Sequence, residues 1–162
     1  MKNLKNNIAK MIIVLSVLFA FSSCKKDKDT EGGAQAGSYS YQGKTISILS
    51  GDYRSADDGV GIFLKGTATN DYVSLRFPQT GAYNIPIGTY QYTNLSPFSI
   101  GYNPLTNFAG GSVTSDAVIL GDPINGGKVT IAKEDDSYSI SFDVNTAKGP
   151  LKGSFKGILK KI

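Results

Sequence analysis

Lys128 to Gly157 reads KVTIAKEDDSYSISFDVNTAKGPLKGSFKG. Its bulky apolar residues recur at every second place: Val129 and Ile131, then Tyr138, Ile140, Phe142 and Val144, then Leu151 and Phe155. A repeat of two is the signature of a strand with one buried face. Polar breaks at Glu134–Ser137 and Asn145–Pro150 supply the turns. The first break sets Lys133 opposite Tyr138, Ile131 opposite Ile140 and Val129 opposite Phe142, so apolar meets apolar on one face. The second sets Val144 against Leu151, Phe142 against Gly153, Ile140 against Phe155 and Tyr138 against Gly157. Large rings then cover glycines, which offsets the weakness of glycine in a strand. The stretch is therefore expected to form a three-stranded antiparallel meander.

Working back toward the N-terminus, short alternating runs punctuated by glycine continue to Tyr39, with no helical spacing of useful length. Further strands are expected at Tyr39–Gln42, Thr45–Ser50, Val60–Lys65, Tyr72–Phe77, Thr89–Thr93 and Ser112–Leu120. Hairpin turns are expected at Gln42-Gly43, Asn70-Asp71, Asn125-Gly126 and Asp135-Asp136. The pattern G-[ST]-Y-x-Y occurs at Gly37–Tyr41 and Gly88–Tyr92. Two copies are recurring strand chemistry, since a repeat array needs more. The fold class is all-β: an antiparallel β-sandwich or barrel-like sandwich of roughly 8–10 strands, spanning 39–162 as one domain.

The beginning of the chain has a different character. Lys2, Lys5 and Lys10 precede an uncharged apolar run, Met11–Phe21, that ends at Ser22, Ser23 and Cys24. A membrane-spanning helix needs about 20 apolar residues, so this run is too short and residues 1–23 read as a secretory signal peptide. Phe21-Ser22-Ser23-Cys24 resembles a bacterial lipobox, although Phe21 stands where leucine is usual. The resemblance implies that Cys24 is acylated and becomes the mature N-terminus. One acyl chain holds a protein only reversibly, whereas the three of this lipid class would hold it permanently.

Residues 24–38, beginning at that cysteine and continuing KKDKDTEGGAQAGS, are charged and then rich in glycine and alanine, as expected of a flexible tether. Dense charge after such a cysteine resembles the tethers of Bacteroidetes-type lipoproteins. Together with YSYQGKTISI, GAYNIPIGTYQYT and GGKVTIAKEDDSYSISF, it identifies the chain as similar to small Bacteroidetes-type lipoproteins of an uncharacterised all-β domain family. That resemblance implies a β-sandwich or barrel-like sandwich anchored by lipid in the outer membrane. It carries no site residue with it.

Composition narrows the chemistry. Loss of Lys2, Lys5 and Lys10 with the leader reduces 17 basic residues to 14 against 13 acids, so the basic character belongs largely to the leader. Nucleic-acid binding loses its support. Histidine and tryptophan are absent and Cys24 is the only cysteine. Histidine acid–base catalysis, histidine metal sites and Ser-His-Asp or Cys-His nucleophiles are excluded, and no disulfide can form within the chain.

Three stretches could carry a site. Asn94–Gly111, NLSPFSIGYNPLTNFAGG, is the longest without alternation and holds Phe98, Tyr102 and Phe108 beside Asn103 and Asn107. Rings that stack on sugars, next to amides that bond hydroxyls, suit a carbohydrate or a peptide. The same rings could instead fold back and plug the open end of the sandwich, the commoner fate of aromatics. Asp52, Asp57 and Asp58 in GDYRSADDGVG do not match the EF-hand spacing and read as a polar turn rather than a calcium site. Lys152, Lys156 and Lys160 alternate with Leu151, Phe155 and Leu159, a basic stripe that could meet acidic glycan or lipid headgroups but reads better as protecting an edge strand from pairing with another molecule. No pair of acids is placed as glycoside hydrolysis requires. The expectation is a non-enzymatic, cofactor-free and metal-free envelope lipoprotein. It would act as a binding module, for a glycan or an envelope protein, or as an accessory subunit of an envelope complex.

Overall fold

The computed structural model describes residues 36–78 and 84–162; the stretch expected to be a leader, Cys24 and the expected tether before Ala36 lie outside the described residues. Twelve strands are found among them and no helix: β1 Ala36–Tyr41, β2 Lys44–Ser47, β3 Ser50–Ala56, β4 Gly59–Lys65, β5 Tyr72–Pro78, β6 Gly88–Tyr92, β7 Asn107–Phe108, β8 Gly111–Ser115, β9 Val118–Glu134, β10 Ser137–Thr146, β11 Gly149–Gly157 and β12 Leu159–Lys161. The fold is all-β, a single curled mixed sheet that forms a half-barrel. Its order is β12-β3-β4-β5-β8-β9-β10-β11-β1-β2, with β6 and β7 added beside β9. All pairings are antiparallel except β12 on β3 and β6 on β7.

The C-terminal meander has the register that alternation dictates. Lys133 faces Tyr138, Ile131 faces Ile140 and Val129 faces Phe142; Val144 faces Leu151, Phe142 faces Gly153, Ile140 faces Phe155 and Tyr138 faces Gly157. The Phe142 ring covers Gly153 closely, since a Cβ there would lie 2.5 Å from Phe142 Cζ. Both G-[ST]-Y-x-Y segments are strands, β1 and β6.

Four expectations need correction. Ser112–Leu120 is two strands, turning at Asp116-Ala117. Asn125-Gly126 is not a turn: β9 runs through it with a bulge opposite Asn145 and Thr146. Gly127 there adopts φ 93, and the bend lets one strand leave β8 and join β10. Residues 50–56 form β3, so only Asp57 and Asp58 of the acidic cluster lie in a turn. Of the lysine stripe, Lys152 and Lys156 guard no edge, because β11 lies between β10 and β1, whereas Lys160 lies on β12, the outermost strand beside β3. Lys152 instead pairs with Asp143 at 3.0 Å and Lys156 with Glu134 at 2.8 Å. In addition, β1 begins at Ala36, inside the stretch read as tether.

The inward faces meet in one apolar cluster. Tyr39, Tyr41, Val129, Ile131, Ile140, Phe142, Val144, Leu151 and Phe155 come from the meander and β1, and Ile62, Leu64, Val73, Leu75, Phe77 and Val113 from β4, β5 and β8. Phe155 and Leu159 close over Gly51 of β3, where a Cβ would lie 2.9 Å from the Phe155 ring. Every such side chain is worth about 1.5–3 kcal/mol when removed from water.

Candidate functional site

The 94–106 loop leaves β6 and returns through β7, which lies parallel to β6. It is built on its own hydrogen bonds. Ser99 N donates to Ser96 O (2.9 Å), Tyr102 N to Ser99 O (3.1 Å) and Asn107 N to Asn103 O (2.8 Å). Both asparagine side chains are used in the same way: Asn103 Oδ1 accepts from Leu105 N and Asn107 Oδ1 from Asn103 N, each at 3.0 Å. These are local side-chain turns of the kind asparagine favours. Their carbonyl oxygens therefore fold the loop.

The three expected rings part company. Phe108 is 0% exposed. It sits 5.9 Å from the rings of Phe77 and Tyr92 by centroid, while Phe77 meets Tyr90 edge-on at 5.1 Å. It presents no surface to a ligand, and its role is packing. Tyr102 is half-buried, with its hydroxyl 3.3 Å from both Pro78 O and Asn107 O and one proton between them. It ties the loop to the end of β5. Phe98 alone stands in solvent, 87% exposed, and is joined by Ile100 at 103% and Leu105 at 76%. Ile100 and Leu105 were missed because aliphatic residues in a glycine-punctuated loop carry no chemical signal of exposure.

A second feature lies on the outer face of β3–β5. Strand pairing puts Arg54, Gly61 and Arg76 in one row across three strands, and Asp52, Phe63 and Ser74 in the next. The first row opens as a groove of about 250 Å³, lined by both arginines, Gly61, Phe63, Ser74 and Asp58 among others. Beyond Phe63 lies a groove of about 480 Å³ that includes Lys65, Thr67, Thr69, Asp71 and Tyr72. The Phe63 ring reaches over Gly61, where a Cβ would lie 3.2 Å from Phe63 Cζ. Lys65 is held at 2.6 Å by the buried carboxylate of Asp52. Arg54 and Arg76 form no ion pair among the described residues. Twenty-two positions separate them in sequence, so only the β3–β4–β5 register brings them together.

The buried polar groups are structural in character. Asp122 accepts from Tyr41 Oη (2.7 Å) and Lys148 N (3.1 Å). Burial pushes its carboxyl up, but hydrogen bonding from the Thr146 hydroxyl, Tyr41 and Lys148 N, with the Lys148 charge, outweighs this and holds it below the usual range. Burial and the same carboxylate push Tyr41 up to about 12, so its phenol stays a donor. Among the described residues, no group of three or more acid, histidine or cysteine side chains is placed to hold a metal ion. Comparison of the chain with protein-family models, with curated proteins and with solved structures finds no match.

Proposed function

We propose that the protein is a lipid-anchored, non-catalytic binding module of the outer membrane, attached through Cys24 and engaging a glycan or protein partner. The observation that carries this reading is the 94–106 loop. Its backbone is pinned by internal hydrogen bonds and by Tyr102, yet Phe98, Ile100 and Leu105 are held out in water. Displaying large apolar side chains on an ordered platform gains nothing for folding and lowers the entropic cost of association. Their aliphatic share favours a protein partner at this loop, which also accommodates an accessory role in an envelope complex.

Two measurements test the two halves of the reading. Cys24→Ala is expected to move the protein from the membrane to the soluble fraction, and an unmodified Cys24 by mass spectrometry would sink the anchor. Mild crosslinking of the wild-type chain in cells is expected to capture a stoichiometric partner that Phe98→Ala/Ile100→Ala loses, with folding stability within about 0.5 kcal/mol of wild type. An unchanged crosslinking pattern would remove the loop from the function.

A further inference from the structure

The arginine row on β3–β5 makes no side-chain hydrogen bond or ion pair among the described residues. Arg54 and Arg76 are exposed, lie on either side of Gly61, and have no acid paired with them among the described residues. Their Cα atoms are about 9.5 Å apart, two strand spacings, so two long guanidinium arms can converge beside the Phe63 ring that covers Gly61. Guanidinium forks match carboxylate and sulfate oxygens in pairs. Among the described residues the single acid lining the groove is Asp58, at the β3–β4 turn, against two arginines.

What else lines the face decides which anion fits. Phe63 borders both grooves, with the arginines on one side and Thr67, Thr69 and Tyr72 on the other. From Gly61 to Lys65 the strand advances about 13 Å, enough for two or three sugar rings. An aromatic surface between a cationic slot and a largely apolar slot edged by the Thr67, Thr69 and Tyr72 hydroxyls and by Asp71 matches a chain that carries its acid group on one ring and lays an uncharged ring in the next slot. A nucleic acid would call for a longer basic track: beyond the arginine pair, Lys65 is held by Asp52, and Lys160, level with Asp52 on β12, adds a single further lysine to this face.

We propose that the outer face of β3–β5 is a binding groove for an acidic oligosaccharide. Arg54 and Arg76 clasp a carboxylate or sulfate beside the Phe63 ring that covers Gly61, Phe63 carries the face of a sugar ring, and the adjoining groove toward Tyr72 takes the next residue. This deepens the reading of the protein as a binding module but does not depend on the 94–106 loop.

The test is calorimetric titration of the full-length chain in detergent with four probes: oligogalacturonate, a sulfated chondroitin oligosaccharide, uncharged cello-oligosaccharide and phosphatidylglycerol vesicles. One or both acidic oligosaccharides are expected to bind and the uncharged one not. Arg54→Ala or Arg76→Ala should weaken binding about tenfold or more, the loss of one charge-assisted contact. Gly61→Ser, which displaces the Phe63 ring and keeps both charges, should do the same, and thermal midpoints verify that each variant is folded. Phe98→Ala/Ile100→Ala should leave this binding intact, so the groove and the loop stand or fall separately. Binding to neither acidic oligosaccharide, binding to vesicles alone, or affinity unchanged in both arginine variants would overturn the proposal.

Discussion

Tyr39 and Tyr41 stand two residues apart on β1, both facing the core, yet their hydroxyls meet opposite circumstances. Tyr41 donates to Asp122 at 2.7 Å, whereas Tyr39 Oη is buried with no hydrogen-bond partner among the described residues. An unmet buried donor costs free energy that its removal recovers. Tyr39→Phe should therefore leave stability unchanged or raise it by up to about 1 kcal/mol, while Tyr41→Phe should lower it by about 1.5–3 kcal/mol, both read by chemical denaturation. Asp122 also sets an acid limit. Its folded pKa is depressed, so its contribution is complete above the ordinary carboxylate value and is lost as pH falls below about 4. Tyr41 behaves in the opposite sense: raised from 10.0 to about 12, its contribution is complete below pH 10 and lost as pH climbs toward 12. Denaturation midpoints against pH should show both limbs, and Asp122→Asn should flatten the acidic one.

At the scale of elements, Gly127 is where β9 changes partners. It adopts φ 93, and a Cβ there would collide with Asp143 O and Val144 Cα on β10. Gly43, in the β1–β2 turn, has φ 75 but open space around it. Gly43→Ala should thus cost only the left-handed backbone, about 1–2 kcal/mol, and Gly127→Ala clearly more, because the strand must also move. Thermal unfolding of the two variants checks the order. The same pair explains what could be read in advance. Alternation fixed the meander register residue by residue, because slipping Ile140 or Phe142 by one place would turn the apolar face to water. Asn125-Gly126-Gly127 misled because the residues that permit a tight turn also permit a bulge. β3 was hidden because Asp52 and Arg54 break its apolar alternation, and the buried Asp52 is paired with Lys65 on the next strand. In the loop, the rings could be read as binding or as packing, but aromatic character alone does not say that Phe108 is the one that finds Phe77 and Tyr92.

For the whole molecule, the question is what finishes the curled sheet. Ile158 alone separates β11, deep in one half of the sheet, from β12, which lies parallel on β3 at the other end of the strand order. Leu159 is buried beside Gly51, and Lys160 and Lys161 pair with Asp52 and Tyr53. Three residues thus do two things at once: they fill the core and they cover the open side of β3. Contacts between positions more than a hundred residues apart leave no local trace in a sequence, so this closure could not be read from alternation. The two tasks separate by mutation. Leu159→Ala removes core volume and keeps the backbone pairing, and should cost about 2–5 kcal/mol with the protein still monodisperse. Deleting residues 159–162 also bares the N–H and C=O groups of Gly51–Tyr53, and a free strand edge pairs with other chains. Light scattering against concentration should then show self-association in the deletion alone. If both variants stay monodisperse with equal loss of stability, β12 serves only as core; association confined to the deletion means that the last strand exists as much to close an edge as to bury a leucine.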